Sequence, residues 1–123
     1  MAYFPFMIQM DDKVCLVAGG GAVAYRKVKQ MLQFGATVRV VAPDMDPRIR
    51  LLQERHPQLE VLVRKVCLQD LDGVDVVIMA TDDAGLNTQY AEWCRRHRIL
   101  VNVVDVKEDC GFYFPSVIRQ GEV

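Results

Sequence analysis

The stretch KVCLVAGGGAVAYRK, residues 13–27, decides the fold. A short apolar run leads directly into three glycines, and an amphipathic helical pattern follows at once. Gly19, Gly21 and Ala24 have the spacing G-x-G-x-x-A, which is typical of a dinucleotide-binding turn between a strand and a helix. In such a turn, small residues let the backbone approach a pyrophosphate at the unpaired N–H groups of the helix N-terminus. The stretch therefore predicts nucleotide binding, and a glycine turn that binds nothing is the alternative.

The composition is that of one globular domain with an ordinary balance of charges. Of the 123 residues, 51% are hydrophobic and 25% are charged, and this length suffices for one core. The net charge of −1 provides no basic field, so we expect no nucleic-acid partner. No apolar run approaches the ~18 residues of a membrane span, and the N-terminus has no signal-peptide pattern. We therefore expect a cytoplasmic protein without membrane association.

The four cysteines are scattered along the chain and form no C-x-x-C pair. Cys15 falls in a strand pattern and Cys94 on a helix face, where a small buried thiol is the ordinary interpretation. We expect neither a disulfide framework nor a metal site.

Strand and helix patterns alternate along the whole chain. The predicted strands are residues 13–18, 37–41, 59–63, 74–80 and 99–104. One helix follows the glycine turn and ends at Gly35, a second covers residues 48–55 behind Asp46-Pro47, and a third follows Thr81-Asp82-Asp83. Residues 66–71 are ambiguous and favour one helical turn. Short connections between alternating elements predict an α/β fold, a Rossmann-like doubly wound, mostly parallel sheet with helices on both faces.

The helix faces and the two ends of the chain give further expectations. The predicted apolar stripe of the first helix is Ala24, Val28, Met31, Leu32 and Gly35. The predicted stripe of the third helix is Leu86, Tyr90, Trp93, Cys94 and His97, the last as a helix-end histidine. Residues 3–10 are apolar but contain Pro5, which suits an edge segment or a cover over the sheet. Residues 112–118 favour a last strand.

Polar and special residues follow the strands at the edge where such sheets bind ligands. They are residues 19–21, 42–44, 80–83 and 102–105. Asp105 comes just after an apolar strand, where its carboxylate could accept a proton as a hydride leaves a substrate. A loop or capping aspartate is the alternative, because Asp readily serves in turns.

Five stretches taken together resemble one family, the precorrin-2 dehydrogenases of siroheme synthesis, which include the N-terminal part of multifunctional siroheme synthase. The stretches are YFPFMIQMDDKVCLVAG, GGGAVAYRK, VVAPDMDP, MATDDAGLN and NVVDVKEDCGFYFPS. Each motif alone is weak, but their order and spacing are specific. The resemblance covers the whole chain and implies NAD-dependent oxidation of precorrin-2 to sirohydrochlorin, with insertion of ferrous iron in some members.

The resemblance also implies roles for nine residues of this sequence. Facing the pyrophosphate of NAD are Gly19, Gly21, Ala22 and Val23. Near the adenosine are Pro43 and Asp44, and near the nicotinamide are Thr81 and Asp82. Asp105 matches the family aspartate assigned to proton transfer and, in bifunctional members, to metal insertion.

The sequence departs from the ordinary NAD-binding pattern at the second strand. An acidic residue usually ends that strand and binds the ribose hydroxyls, but here Ala42 occupies the place and Asp44 follows two residues later. No arginine follows directly to hold a 2′-phosphate, so we expect NAD rather than NADP. Arg26, Lys27, Lys107 and Arg119 are candidate cations for substrate carboxylates, and for Arg26 a place on a solvated helix face is favoured instead.

We expect residues 1–123 to form a single NAD(P)-binding domain without the C-terminal region that dimerises family members and helps enclose the tetrapyrrole. The aromatic residues 112–114 fall in a segment of weak pattern and favour an interface in a homodimer. Two other functions fit the same sequence. One is a regulatory module that senses NAD or another nucleotide without catalysis, and the other is a tetrapyrrole-carrying or assembly protein.

Overall fold

The computed structural model describes residue 2, residues 4–106 and residues 110–112, and this part of the chain contains one parallel sheet. Its strands are β1 (Val14–Ala18), β2 (Thr37–Val41), β3 (Leu59–Leu62), β4 (Val76–Met79) and β5 (Leu100–Val103). They lie in the order β3-β2-β1-β4-β5, and every neighbouring pair is parallel. The winding therefore reverses between β1 and β4, which places a ligand crevice at the carboxyl ends of these two strands.

The described helices cover both faces of the sheet, so the predicted doubly wound fold is confirmed. They are α1 (Ala22–Gln33), α2 (Pro47–Arg55) and α3 (Ala84–Arg96), with one 3₁₀ turn at Leu68–Leu71. Helices α1 and α2 pack on one face and α3 packs on the other. None of the helices in the described residues is long and apolar enough to cross a membrane.

The two faces of β1 supply the centre of two hydrophobic clusters. Cys15 and Val17 point towards the α1 and α2 side, while Leu16 and Ala18 point towards the α3 side. All four side chains are fully buried, as expected for a parallel strand between two layers of helix. Burial raises the pKa of Cys15 to about 12, so this thiol stays protonated and acts as a small apolar group.

The end of α1 follows the predicted glycine signal. Gly35 has φ 88° and donates its N–H to the carbonyl of Leu32, and Ala36 donates to the carbonyl of Met31. This pair of bonds is a Schellman motif, which needs a left-handed residue at the position of Gly35.

Aspartate caps begin the other two helices, as predicted. The Asp46 carboxylate accepts the Arg48 N–H at 2.9 Å, and Pro47 occupies the first helical position. The Asp83 carboxylate accepts the Leu86 N–H at 3.0 Å. Each cap satisfies an N–H that the helix cannot pair internally.

The predicted stripe of α3 was wrong in part. The buried residues are Asn87, Tyr90, Ala91 and Cys94, whereas Leu86 and Trp93 are half-buried and His97 is exposed. The buried face of α3 is rotated relative to the predicted one because Ala91 and the amide of Asn87 point inward. A prediction made from hydrophobic residues does not include a polar residue such as Asn87. His97 follows the helix, as expected of a helix-end histidine, and stacks on Trp93 with ring centroids 3.8 Å apart.

The two ends of the chain are predicted to form an edge or cover segment and a last strand. Residues 4–10 have no regular secondary structure, and the side chains of Phe4 and Met7 are 84% and 89% exposed. In the described chain this segment forms no sheet strand. Met10 packs against the core on the α1 and α2 side, whereas the side chains of Phe4, Phe6 and Met7 are exposed. Phe112 lies in a bend, and the rest of the predicted last strand lies outside the described residues.

Candidate functional site

Gly19 brings the turn after β1 against the turn after β4. Its φ is 135°, a backbone region that L side chains rarely adopt, and its N–H donates to the carbonyl of Val41 at 3.0 Å. A Cβ at this position would collide with the carbonyl oxygen of Ala80. Gly19 is therefore required by the turn itself and by the close approach of two strand ends.

Gly20, which sequence reasoning passed over as a variable position of the motif, joins the same turn to the β2–α2 loop. Its carbonyl accepts the Asp46 N–H at 2.7 Å. An added Cβ would collide with the carbonyl oxygen of Asp44 and lie 3.0 Å from the Cβ of Ala42. The sequence did contain a signal for Gly20, because three consecutive glycines are present and the G-x-G-x-x-A motif requires glycine at only two of these positions.

Gly21 faces open space. Its backbone is extended, with φ −92°, and a Cβ there would meet nothing within 4 Å. No described side chain caps the N-terminus of α1, and the first turn carries no acidic residue. Ala22 is exposed and Val23 is half-buried beside it. These small residues at an open helix N-terminus form a cradle that fits a pyrophosphate, because N–H groups and the helix dipole both favour an anion.

The β2–α2 loop lies on one side of this cradle. Pro43 and Asp44 are both exposed, as a surface for an adenosine requires. Arg48 is the nearby cation, but Asp46 binds it through two oxygens at 2.8 and 3.1 Å, and its guanidinium lies 4.4 Å from the centre of the Tyr25 ring. The hydrogen bond from Arg48 lowers the pKa of Asp46, because it favours the charged form of the carboxylate.

The β4–α3 turn contains Thr81 and Asp82. The Thr81 hydroxyl donates to Oδ1 of the buried Asn87 at 2.5 Å, and Nδ2 of Asn87 returns a bond to the Thr81 carbonyl at 3.1 Å. Asp82 is exposed. Thr81 is thus fixed by a residue that sequence reasoning missed, because a polar side chain in a helix is usually solvated.

Asp105 lies in the turn after β5, in the left-handed backbone region at φ 66°. The turn is closed by the Val106 N–H, which donates to the Val103 carbonyl at 3.2 Å. Asp105 is exposed and borders a depression of about 380 Å³. The lining residues are Lys27, Asn102, Val103, Val104, Asp105, Val106 and Cys110.

Lys27 comes to this depression from the second turn of α1. Burial lowers the pKa of its ammonium group and neighbouring Arg26 lowers it further, while the negative charge of Asp105 acts in the opposite direction. The charge of Asp105 therefore acts on Lys27 at this depression. Arg26 itself is exposed.

Backbone hydrogen bonds hold these turns at one edge of the sheet. Ala80 donates to the Ala18 carbonyl at 2.7 Å, and Val104 donates to the Met79 carbonyl at 3.1 Å. The glycine turn, the Thr81 turn and the Asp105 turn are consequently neighbours, as the sequence predicted from the strand ends. Within the described ranges, no group of three or more His, Cys, Asp or Glu residues is arranged to hold a metal ion.

A parallel sheet with the order 3-2-1-4-5 and an open helix N-terminus after its central strand define a dinucleotide-binding domain. The chain belongs to the family described as putative NAD(P)-binding, whose model matches residues 6–116. This family assignment supports NAD as the cofactor.

The chain is also similar to curated proteins and to a solved structure. It is 37% identical to a siroheme synthase of Zymomonas mobilis, covering 100% of this chain and 26% of that protein. It is 42% identical to a siroheme synthase of Thioalkalivibrio sulfidiphilus, covering 100% and 25%. A precorrin-2 dehydrogenase, SirC, has the same fold with a TM-score of 0.82 and 30% identity, over 98% of this chain and 59% of that one.

These likenesses confirm the predicted fold and the resemblance to siroheme-forming proteins. The chain spans about a quarter of the length of the siroheme synthases that it matches. The roles assigned to single residues stay predictions, since likeness of whole chains does not test them.

Proposed function

We propose that this chain is the NAD-binding dehydrogenase domain of an enzyme that oxidises precorrin-2 to sirohydrochlorin in siroheme biosynthesis. The observation that carries the proposal is the position of Asp105, which shares one sheet edge with the open glycine turn. The similarity to SirC and to siroheme synthases supports the choice of substrate. The fold alone would not support any particular substrate, because dinucleotide-binding domains occur in enzymes that act on many substrates.

The cofactor is held by three turns. Backbone N–H groups at Gly21, Ala22 and Val23 would bind the pyrophosphate, and a side chain added at Gly21 would extend into the open space that the pyrophosphate needs. Asp44, exposed after β2, lies by the adenosine ribose with Pro43. The nicotinamide end is assigned to the turn of Thr81 and Asp82.

The reaction removes a hydride and a proton from saturated carbons of the macrocycle. The nicotinamide ring supplies the hydride acceptor when the cofactor is bound. Asp105 accepts the proton at a carboxylate oxygen, which its exposed position on the depression permits. Lys27 presents an ammonium group to the same depression and pairs with a carboxylate of the substrate. Insertion of ferrous iron stays a prediction from the resemblance.

The enzyme acts as a homodimer in this proposal. Its support is the apolar surface at the N-terminus, where Phe4 and Phe6 are 84% and 69% exposed and Met7 is similarly open. Several large exposed apolar side chains within one short segment are typical of protein interfaces. The proposed cytoplasmic location rests on the sequence patterns given above for membrane spans and signal peptides.

The alternative is a domain that binds NAD and transmits a signal without chemistry. An anaerobic mixture of the full-length protein, NAD and precorrin-2 distinguishes the two. We expect sirohydrochlorin and NADH to appear in equal amounts. NAD binding without either product would favour the sensor, and absence of NAD binding would overturn both.

A further inference from the structure

The thiol of Cys110 is hydrogen-bonded into the turn that carries Asp105. Its Sγ lies 3.2 Å from the N–H nitrogen of Val103 and 3.2 Å from the carbonyl oxygens of both Val103 and Val106. Because a thiol has one proton, it donates to one of these carbonyls at a time and accepts the N–H of Val103. The sulfur thereby joins the last residue of β5 to the far end of the turn.

The turn needs such a restraint because of the backbone at Asp105. A non-glycine residue at φ 66° is in a sparsely populated region, although Asp tolerates it better than most. Such a conformation persists when the surroundings fix it, and these residues concentrate at functional sites. The bond that closes the turn runs from Val106 to Val103, and both residues are partners of the Cys110 thiol.

Cys110 and the two residues after it are held along β5 by three further bonds. Asn102 donates its Nδ2 to the carbonyl of Phe112 at 2.9 Å and to the Cys110 sulfur at 3.4 Å. Gly111 donates its N–H to the carbonyl of Val101 at 2.7 Å. The position of the sulfur is therefore fixed, and its hydrogen bonds can restrain the turn.

We propose that Cys110 is a positioning residue, whose thiol holds the turn of residues 103–106 so that the Asp105 carboxylate faces the depression shared with Lys27. This inference rests on the proposed function of Asp105 as the proton acceptor. The sulfur does not touch the reacting atoms in this account. It acts through the backbone, and displacement of a catalytic group by about 1 Å can cost on the order of 100-fold in rate.

The first test is independent of catalysis and uses amide hydrogen exchange of the full-length protein. In Cys110→Ala we expect exchange to accelerate at least about tenfold at Val103 and Val106 while the rest of the sheet is unchanged. Cys110→Ser should restore most of the protection, because a hydroxyl can donate and accept at the same place. Cys67→Ala is the matched control, since Cys67 lies in the β3–β4 connection. Unchanged exchange in Cys110→Ala would overturn the restraint.

The second test separates positioning from a general structural effect. Cys110→Ala should lower kcat for sirohydrochlorin formation by about 10- to 100-fold and leave NAD affinity within about twofold, and Cys110→Ser should recover activity. In the Asp105→Asn background, the same alanine substitution should cause no further loss. Additive losses, or a proportional loss of NAD affinity, would contradict the proposal.

A chemical route covers the case in which the alanine variant fails to fold. Methyl methanethiosulfonate transfers its methylthio group to the Cys110 thiolate of the folded Cys67→Ala protein. The S–SO₂ bond of the reagent breaks, methanesulfinate leaves, and the resulting methyl disulfide has no S–H donor. Loss of activity should follow modification of Cys110, and dithiothreitol should reverse it; full activity after complete modification would overturn the proposal. A wild type that makes no sirohydrochlorin would overturn the proposed function, whereas the exchange experiment alone decides whether the thiol holds the turn.

Discussion

Lys27 of α1 and Asp105 of the turn after β5 border the same depression, although they lie 78 positions apart in the sequence. The negative charge of Asp105 counteracts the lowering of the Lys27 pKa by burial and by Arg26. Two opposite charges from distant parts of the chain thus face one space. A substrate that carries both carboxylates and a transferable proton can meet a partner for each.

The three glycines after β1 should respond differently to the same substitution. A Gly21→Val side chain has space in the protein and occupies the place of the pyrophosphate, so the fold should survive. We expect NAD affinity to fall by more than about tenfold, measured by calorimetry, which is about 1.4 kcal/mol.

Gly19→Val and Gly20→Val serve as the contrast. Their Cβ atoms would collide with the carbonyl oxygens of Ala80 and Asp44, so the free energy of unfolding should fall by about 1–3 kcal/mol or more. Equal NAD affinity of the wild type and Gly21→Val, with both proteins folded, would remove the pyrophosphate assignment.

The protein should bind NAD more tightly than NADP. A 2′-phosphate would meet the exposed carboxylate of Asp44, and Arg48 is already engaged by Asp46 and the Tyr25 ring. Asp44→Ala should narrow the difference between the two dissociation constants. Tighter binding of NADP by the wild type would show that a cation reaches the ribose.

Acid should weaken the fold through Asp70 in the β3–β4 connection. Its carboxylate accepts bonds from Arg64 at 2.9 Å and from the Cys67 N–H at 2.8 Å. The hydrogen bond from Arg64 lowers the pKa of Asp70 from 3.8 to about 2. A carboxyl whose folded pKa is depressed contributes stability above its unfolded pKa and loses it as the pH falls through the folded value.

The change that tests this ion pair is Asp70→Asn. At pH 7 the free energy of unfolding should fall by about 1–2 kcal/mol, a modest figure because Arg64 is 46% exposed and water screens the pair. The difference from the wild type should shrink between pH 3.8 and about 2. Denaturant titrations measure the free energy of unfolding of both proteins across this pH range. If the difference between them stayed constant, the charge of Asp70 would not be the origin of that difference.

The exposed apolar residues at the N-terminus should belong to a dimer interface. Phe6→Ser combined with Met7→Ser should shift a dimer towards the monomer in light scattering, because each change removes apolar surface from the contact. Leu68→Ser removes an exposed leucine of the 3₁₀ turn and should leave the association unchanged. A wild type that stays monomeric at high concentration would refute the assignment.

Local signals explain why most elements could be predicted from the sequence. Gly35 ends α1 and Asp46 begins α2 through contacts within a few residues, and such contacts leave a mark in the sequence. Each strand could be predicted from an apolar run between turn residues. The predicted bounds therefore differ from the observed ones by no more than two residues at either end.

Contacts between distant segments explain what the sequence could not predict. The approach of Gly20 to Asp44 depends on how the β2–α2 loop packs. The burial of Asn87 depends on its bonds to Thr81, and the position of Cys110 depends on a loop that returns to β5. Each depends on tertiary packing, which overrides local pattern.

The central role proposed for Asp105 is that of proton acceptor, and single-turnover kinetics of Asp105→Asn test it most directly. The asparagine keeps the shape and hydrogen bonding of the side chain but loses its proton affinity. The rate of sirohydrochlorin formation should fall by ~10²–10⁴-fold with NAD affinity nearly unchanged. Asp72→Asn, an exposed aspartate before β4 at the opposite edge of the sheet, should match the wild type. Turnover of Asp105→Asn at the wild-type rate would contradict the account.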